Sequence, residues 1–152
     1  MFSKSDALLI RQSLAEMDFS TPLQQDSLDR FQSYFEFYGF YPELVSGEVF
    51  HKAGCKPFAG FDVVSQYFRP TNSKGTILLL HGYLVHAGLY GHARRFCLQL
   101  GFVVVICDMP GHGLSSGKQA SIASFDKYSE SLTCLLRETA KAHLPAPWHI
   151  IG

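Results

Sequence analysis

The chain has 152 residues, 47% hydrophobic and 17% charged, which suits one domain of roughly 100 to 200 residues with a packed core. Thirteen basic side chains balance thirteen acidic ones and no basic cluster exceeds Arg94-Arg95, so charge offers no nucleic-acid or anionic-membrane surface and the expected ligand is small and weakly charged. Cys55, Cys97, Cys107 and Cys134 are scattered without a C-x-x-C pair or histidines at metal spacing, and no apolar run reaches the roughly 18 residues of a membrane span. Reduced core cysteines, no metal site and a cytoplasmic location are the resulting expectations.

The first predicted element is an amphipathic helix over 4–17, from the spacing of Ala7, Leu8, Ile10, Leu14 and Met17, with Ser5 or Asp6 able to cap it. After Thr21-Pro22, residues 26–38 repeat apolar side chains at Leu28, Phe31, Tyr34, Phe35 and Tyr38, which predicts a second helix ending near Gly39. Its aromatic stripe is read as core rather than as a lipid contact. A compositional seam near Pro42 divides a helical leader, 1–42, from a sheet-forming part, 43–152.

Segments 45–52 and 62–69 are β-rich and are predicted to pair antiparallel through a longish loop containing Gly54, Pro57 and Gly60. Continuous apolar runs at 76–80 and 102–107, with a helix over 90–100 stopping at Gly101 between them, read as strand, helix, strand in a parallel sheet buried on both faces. A helix over 122–143 then leads through Leu144-Pro145-Ala146-Pro147 into a strand, Trp148 to Ile151. The fold class is α/β with an antiparallel start.

Two of these strands end in glycine-broken loops. Leu80-His81-Gly82-Tyr83 follows the first, and Asp108-Met109-Pro110-Gly111-His112-Gly113 follows the second. Backbone N–H groups fixed at a strand end can stabilise an oxyanion without reorganising. Gly82 is expected to let the chain turn where a Cβ would clash, so that the N–H of Tyr83 faces the space above the sheet while His81 packs below. Pro110, Gly111 and Gly113 are expected to fix a wide floor loop at the same sheet edge, with His112 holding it by hydrogen bonds.

With both loops present, the chain resembles the α/β-hydrolase superfamily, and within it the lysophospholipase and monoacylglycerol-lipase-like group that overlaps the serine aminopeptidase S33 type. The resemblance covers about 61–152, the first half of that fold. It implies a Ser-His-Asp ester hydrolase acting on a small acyl ester or lysolipid without metal or organic cofactor. Tyr83 then matches the first oxyanion donor, and Gly152 the first glycine of the nucleophile elbow.

Gly113-Leu114-Ser115-Ser116-Gly117 also satisfies G-x-S-x-G, but it is read as a decoy. An elbow needs a strand running straight into a tight turn and a helix, whereas here the strand has ended at Cys107. The correct context is Trp148-His149-Ile150-Ile151-Gly152, so the nucleophile, acid and catalytic histidine are expected outside these residues and residues 1–152 alone are expected to be inactive. His86, His92 and His143 are expected to face solvent. Epoxide hydrolases and haloalkane dehalogenases, which usually carry proline two residues after His-Gly, are disfavoured by Leu84. An S33-type peptidase and a non-catalytic remnant with an interaction role remain alternatives, and self-association through an exposed sheet edge is expected.

Overall fold

In the computed structural model, which describes residues 3–20, 28–40 and 46–152, the first helix begins in a capping box. The Ser3 side chain accepts from the Asp6 amide and Asp6 accepts from the Ser3 amide at 2.7 Å, so the cap is Ser3 rather than Ser5 or Asp6. Helix α1 (Lys4–Ser13) also stops earlier than predicted. Residues 15–17 are extended beside the first strand: the Met17 amide donates to Cys55 O at 3.0 Å and the Cys55 amide donates to Ala15 O at 2.9 Å. An open strand edge competes successfully for backbone groups that another helical turn would have used.

Helix α2 (Leu28–Phe37) ends as its glycine predicts. The Gly39 amide donates to Glu36 O and the Phe40 amide to Phe35 O, the paired bonds of a Schellman motif, with Gly39 at φ 69°. Phe31, Tyr34, Phe35 and Phe40 are buried, so the aromatic stripe is core. The predicted start of this helix at Asp26 and the seam at Pro42 lie outside the described residues.

Strands β1 (Val49–Phe58) and β2 (Phe61–Pro70) form the antiparallel pair, but through a two-residue turn instead of a long loop. Ala59 and Gly60 both take positive φ, 53° and 86°, the geometry that matches strand twist in a tight hairpin. Gly54 and Pro57 therefore sit inside β1. Pro57 is tolerated because β1 is an edge strand, and a Cβ on Gly54 would lie 2.7 Å from Met17 Cα, so glycine there admits the leader backbone.

Strands β3 (Gly75–Leu79), β4 (Phe102–Cys107) and β5 (Trp148–Ile151) are mutually parallel and complete a five-stranded sheet in the order β1-β2-β4-β3-β5. A short 3₁₀ turn (Ala87–Tyr90) precedes α3 (Gly91–Gln99), and α4 is Asp126–Lys141. The last is shorter than the 122–143 expected, because Ser124 Oγ accepts from the Asp126 amide and sets the start.

Alternation along the strands splits the core. Val64, Phe68, Ile77, Leu79, Val104 and Ile106 pack with α1, α2 and α3, while Val63, Tyr67, Leu78, Val103 and Val105 pack with Leu135 of α4 and Met17. All of β3 is buried. By contrast β5 is exposed, with Ile150 58% accessible. Among the described residues no helix is long and apolar enough to cross a membrane.

Candidate active site

The parallel strands bring both glycine loops and Gly152 to one edge. The Leu80 amide donates to Ile151 O at 2.8 Å, and a Cβ on Gly152 would stand 3.5 Å from Leu80 Cβ. The His81-Gly82-Tyr83 turn and the end of β5 are therefore neighbours, with the 108–117 loop on the other side of β3.

His81 ties the two loops together. Its Nε2 accepts from the Met109 amide at 2.9 Å, so Nδ1 carries the proton and donates to Gly82 O at 2.9 Å. Burial holds its pKa below the usual histidine range, consistent with a neutral bracket rather than a base. Gly82 behaves differently from expectation. A Cβ there would meet nothing closer than 3.8 Å and its φ is not positive, so no clash among the described residues demands glycine. Its amide donates to Tyr90 Oη at 3.0 Å.

The turn continues through Tyr83 to Leu84, whose φ is 66°. Proline is locked near −65°, so this backbone cannot hold the proline whose absence marked Leu84 in the sequence. The Tyr83 hydroxyl donates to Ala120 O at 2.6 Å, while its amide makes no hydrogen bond to another described residue.

In the floor loop glycine is required at both predicted positions. A Cβ on Gly111 (φ 75°) would lie 2.5 Å from Lys118 O, and one on Gly113 (φ 49°) 2.3 Å from the Asp108 carboxyl group. His112 Nδ1 donates to Pro110 O at 3.0 Å within the loop.

Ser115 is committed elsewhere. It is buried, its hydroxyl donates to Asp108 O at 2.5 Å and accepts from the Val64 amide at 2.8 Å, and Ser116 bonds Asp62 through its amide and hydroxyl. These two residues extend the β2 ladder where β4 has ended, and no helix follows them.

Sequence reasoning gave Asp108 no role. Buried at 1% exposure, its carboxylate accepts from the Ala87 amide and the Leu114 amide, each at 2.8 Å, and so clamps the two loops from beneath. Arg11 was also missed; it donates to Leu114 O and Ser115 O from α1. The available signal for Asp108 was a carboxylate directly after a continuous apolar strand. For Arg11 there was none, because its partners are more than a hundred positions away.

Of the other histidines, His92 and His143 are exposed, but His86 is half-buried. Its Nδ1 accepts from the Gly88 amide, leaving Nε2 to donate to Tyr38 Oη at 3.0 Å. Beside the loops lies a cleft of about 580 Å³ walled by α1, Leu84, Val85 and the floor loop, and a second of about 470 Å³ between Tyr83 and Tyr128. Among the described residues no three His, Cys, Asp or Glu side chains are grouped to hold a metal.

Comparisons with known proteins agree with this geometry. A family model described as serine aminopeptidase, S33, matches residues 71–152, more than half of the chain. The monoacylglycerol lipase of Mycolicibacterium smegmatis is 31% identical over 94 residues, covering 61% of this chain and 34% of that lipase. A thermostable carboxyl esterase from Bacillus coagulans superposes with TM-score 0.57 at 21% identity, over 67% of this chain and 36% of the esterase. A hypothetical protein from Pseudomonas aeruginosa gives TM-score 0.60 at 14% identity, over 92% and 40%. These two likenesses show the α/β-hydrolase fold. The chain spans about a third of the length of the lipase it matches.

Proposed function

Because the chain belongs to the serine aminopeptidase S33 family, we propose that it carries the N-terminal half of a serine ester hydrolase of the monoacylglycerol lipase and lysophospholipase type. In this reading 1–42 is a helical leader and 43–152 the hydrolase part. The observation that carries it is the meeting of the His81-Gly82-Tyr83 turn with Gly152 at the ends of adjacent parallel strands.

The chemistry follows from that placement. When a hydroxyl attacks an ester carbonyl, the oxygen becomes an anion, and the Tyr83 amide is the donor offered to it. The attacking serine belongs to the turn that follows Gly152 in the family pattern, not to Ser115, whose hydroxyl is spent on Asp108 and Val64. Loss of a serine nucleophile costs about a millionfold in turnover, roughly 8 kcal/mol, against about 3 kcal/mol for one oxyanion donor. Residues 1–152 alone are therefore inactive in this reading, however well formed the hole is.

The test is fluorophosphonate labelling and p-nitrophenyl ester turnover, comparing residues 1–152 with a polypeptide continuing from Gly152 into x-Ser-x-Gly and the rest of a family domain. The first is expected to stay unlabelled and the second to be labelled only at the new serine. Labelling of Ser115 overturns the assignment. The family description itself favours keeping a peptidase as the second reading; preference for aminoacyl anilides over monoacylglycerol and lysophosphatidylcholine would select it.

A further inference from the structure

Helix α1 does more than cover the sheet. Arg11 donates through Nε to Leu114 O at 2.6 Å and through Nη2 to Ser115 O at 3.1 Å. Both acceptors are neutral carbonyls. Among the described residues no carboxylate pairs with this guanidinium. Five N–H donors in a planar fork, less the two in use, leave three for another acceptor.

The position of that cation is specific. Arg11 is half-buried in the wall of the 580 Å³ cleft and is the one Lys, Arg, Asp or Glu among the described residues lining it. Part of the wall is apolar: Leu8 and Leu84 are 51% and 70% exposed and line the same space with Ala7 and Val85, while Tyr38, His86, His112 and Gln119 bring polar groups to its other parts. A partly desolvated cation without a counter-charge attracts an anion more strongly than one in open water. The apolar surface beside it has no use for a small hydrated ion but suits a hydrocarbon chain. The cleft volume falls within the ordinary range for a small-molecule site, about 300 to 1,000 Å³.

We propose that this cleft binds a single-chain lipid with a negatively charged head, the anion on Arg11 and the chain along Leu8, Leu84 and Val85. A fatty carboxylate and a lysophosphatidate share that chemistry. Binding at equilibrium needs no nucleophile, so the inference stands independently of the hydrolase reading.

Displacement of a dansylated fatty acid from the protein, at submicellar concentrations, tests it with four competitors: oleate, oleoyl lysophosphatidate, oleyl alcohol and inorganic phosphate. At least one lipid anion is expected to bind about tenfold or more tighter than the alcohol, as one charged hydrogen-bonded contact implies. The preference should shrink as salt rises. The tighter of the two anions identifies the head group. Leu8→Asp, an exposed position one turn from Arg11, puts a carboxylate beside the guanidinium without disturbing the core, and should weaken the lipid anions more than the alcohol and so remove the preference. Arg11→Gln should do the same, and Arg11→Lys should retain much of it. Equal binding of oleate, lysophosphatidate and alcohol, phosphate competing as well as the lipids, absence of any displacement, or an undiminished preference in Leu8→Asp each overturns the proposal.

Discussion

Replacing Asp108 tests whether the candidate site is held together from below. Its carboxylate satisfies two amide N–H groups that belong to different loops, Ala87 after the His81-Gly82-Tyr83 turn and Leu114 in the floor loop, each at 2.8 Å in a buried setting. A buried donor left without an acceptor costs about 1 to 3 kcal/mol. Asp108→Ala strands both amides and should destabilise the fold by about 4 kcal/mol, a large fraction of the roughly 5 to 15 kcal/mol that holds a domain together. Asp108→Asn keeps one acceptor and turns an NH₂ toward the other amide, so its cost should be about half as large. Gly113 supplies a cross-check, because a Cβ there would stand 2.3 Å from the Asp108 carboxyl group. Gly113→Ala should therefore be markedly less costly in the Asp108→Ala background than in the parent, a coupling of at least about 1 kcal/mol. Urea unfolding followed by circular dichroism measures all four corners of the cycle. A cost below about 1 kcal/mol for Asp108→Ala, or additive effects of the two substitutions, would refute the clamp.

Three further outcomes are expected. His51 is enclosed by Phe31, Phe35 and Phe68, and burial, assisted by the nearby Arg94 charge, lowers its pKa from 6.5 to about 3. The unfolded chain then takes up a proton below pH 6.5 that the folded chain refuses, so stability is full above that pH and falls toward pH 3, by about 2 kcal/mol at pH 5. Urea midpoints at pH 7 and pH 5 should show this loss, and His51→Phe should remove it; an unchanged pH dependence in that variant contradicts the reading. Leu84 sits at φ 66°, so Leu84→Gly should stabilise by about 1 kcal/mol while Leu84→Pro should destabilise, and thermal melts giving the reverse order would discredit the turn geometry. Residues 1–152 expressed alone should self-associate through the exposed β5 edge, which light scattering detects; a monodisperse, cooperatively melting monomer counts against it.

The elements that could be read in advance are those whose signal is local. Two continuous apolar runs ending in glycine loops specify buried parallel strands, and β3, β4 and β5 begin and end within a residue of the reading. The Schellman end of α2 is likewise a property of Gly39 and its neighbours. Where distant chain competes for the same backbone groups, local reading fails. The last turn predicted for α1 is lost to the edge of β1, and Gly54, which resembles a loop residue, marks the strand position where that backbone arrives.

The amino-acid sequence by itself determined the fold class, the two loops and the rejection of Ser115 as an elbow serine, because strand length, glycine placement and the distance from Cys107 to Gly113 are all local quantities. Only the tertiary structure decided what holds those loops in place. His81 reaching Met109, Asp108 reaching Ala87 and Leu114, and Arg11 reaching the floor loop are bonds between groups brought together by sheet order and helix packing. Hydrogen-bond partners are chosen by distance in space, and a sequence carries no term for that distance until the strands have found their register.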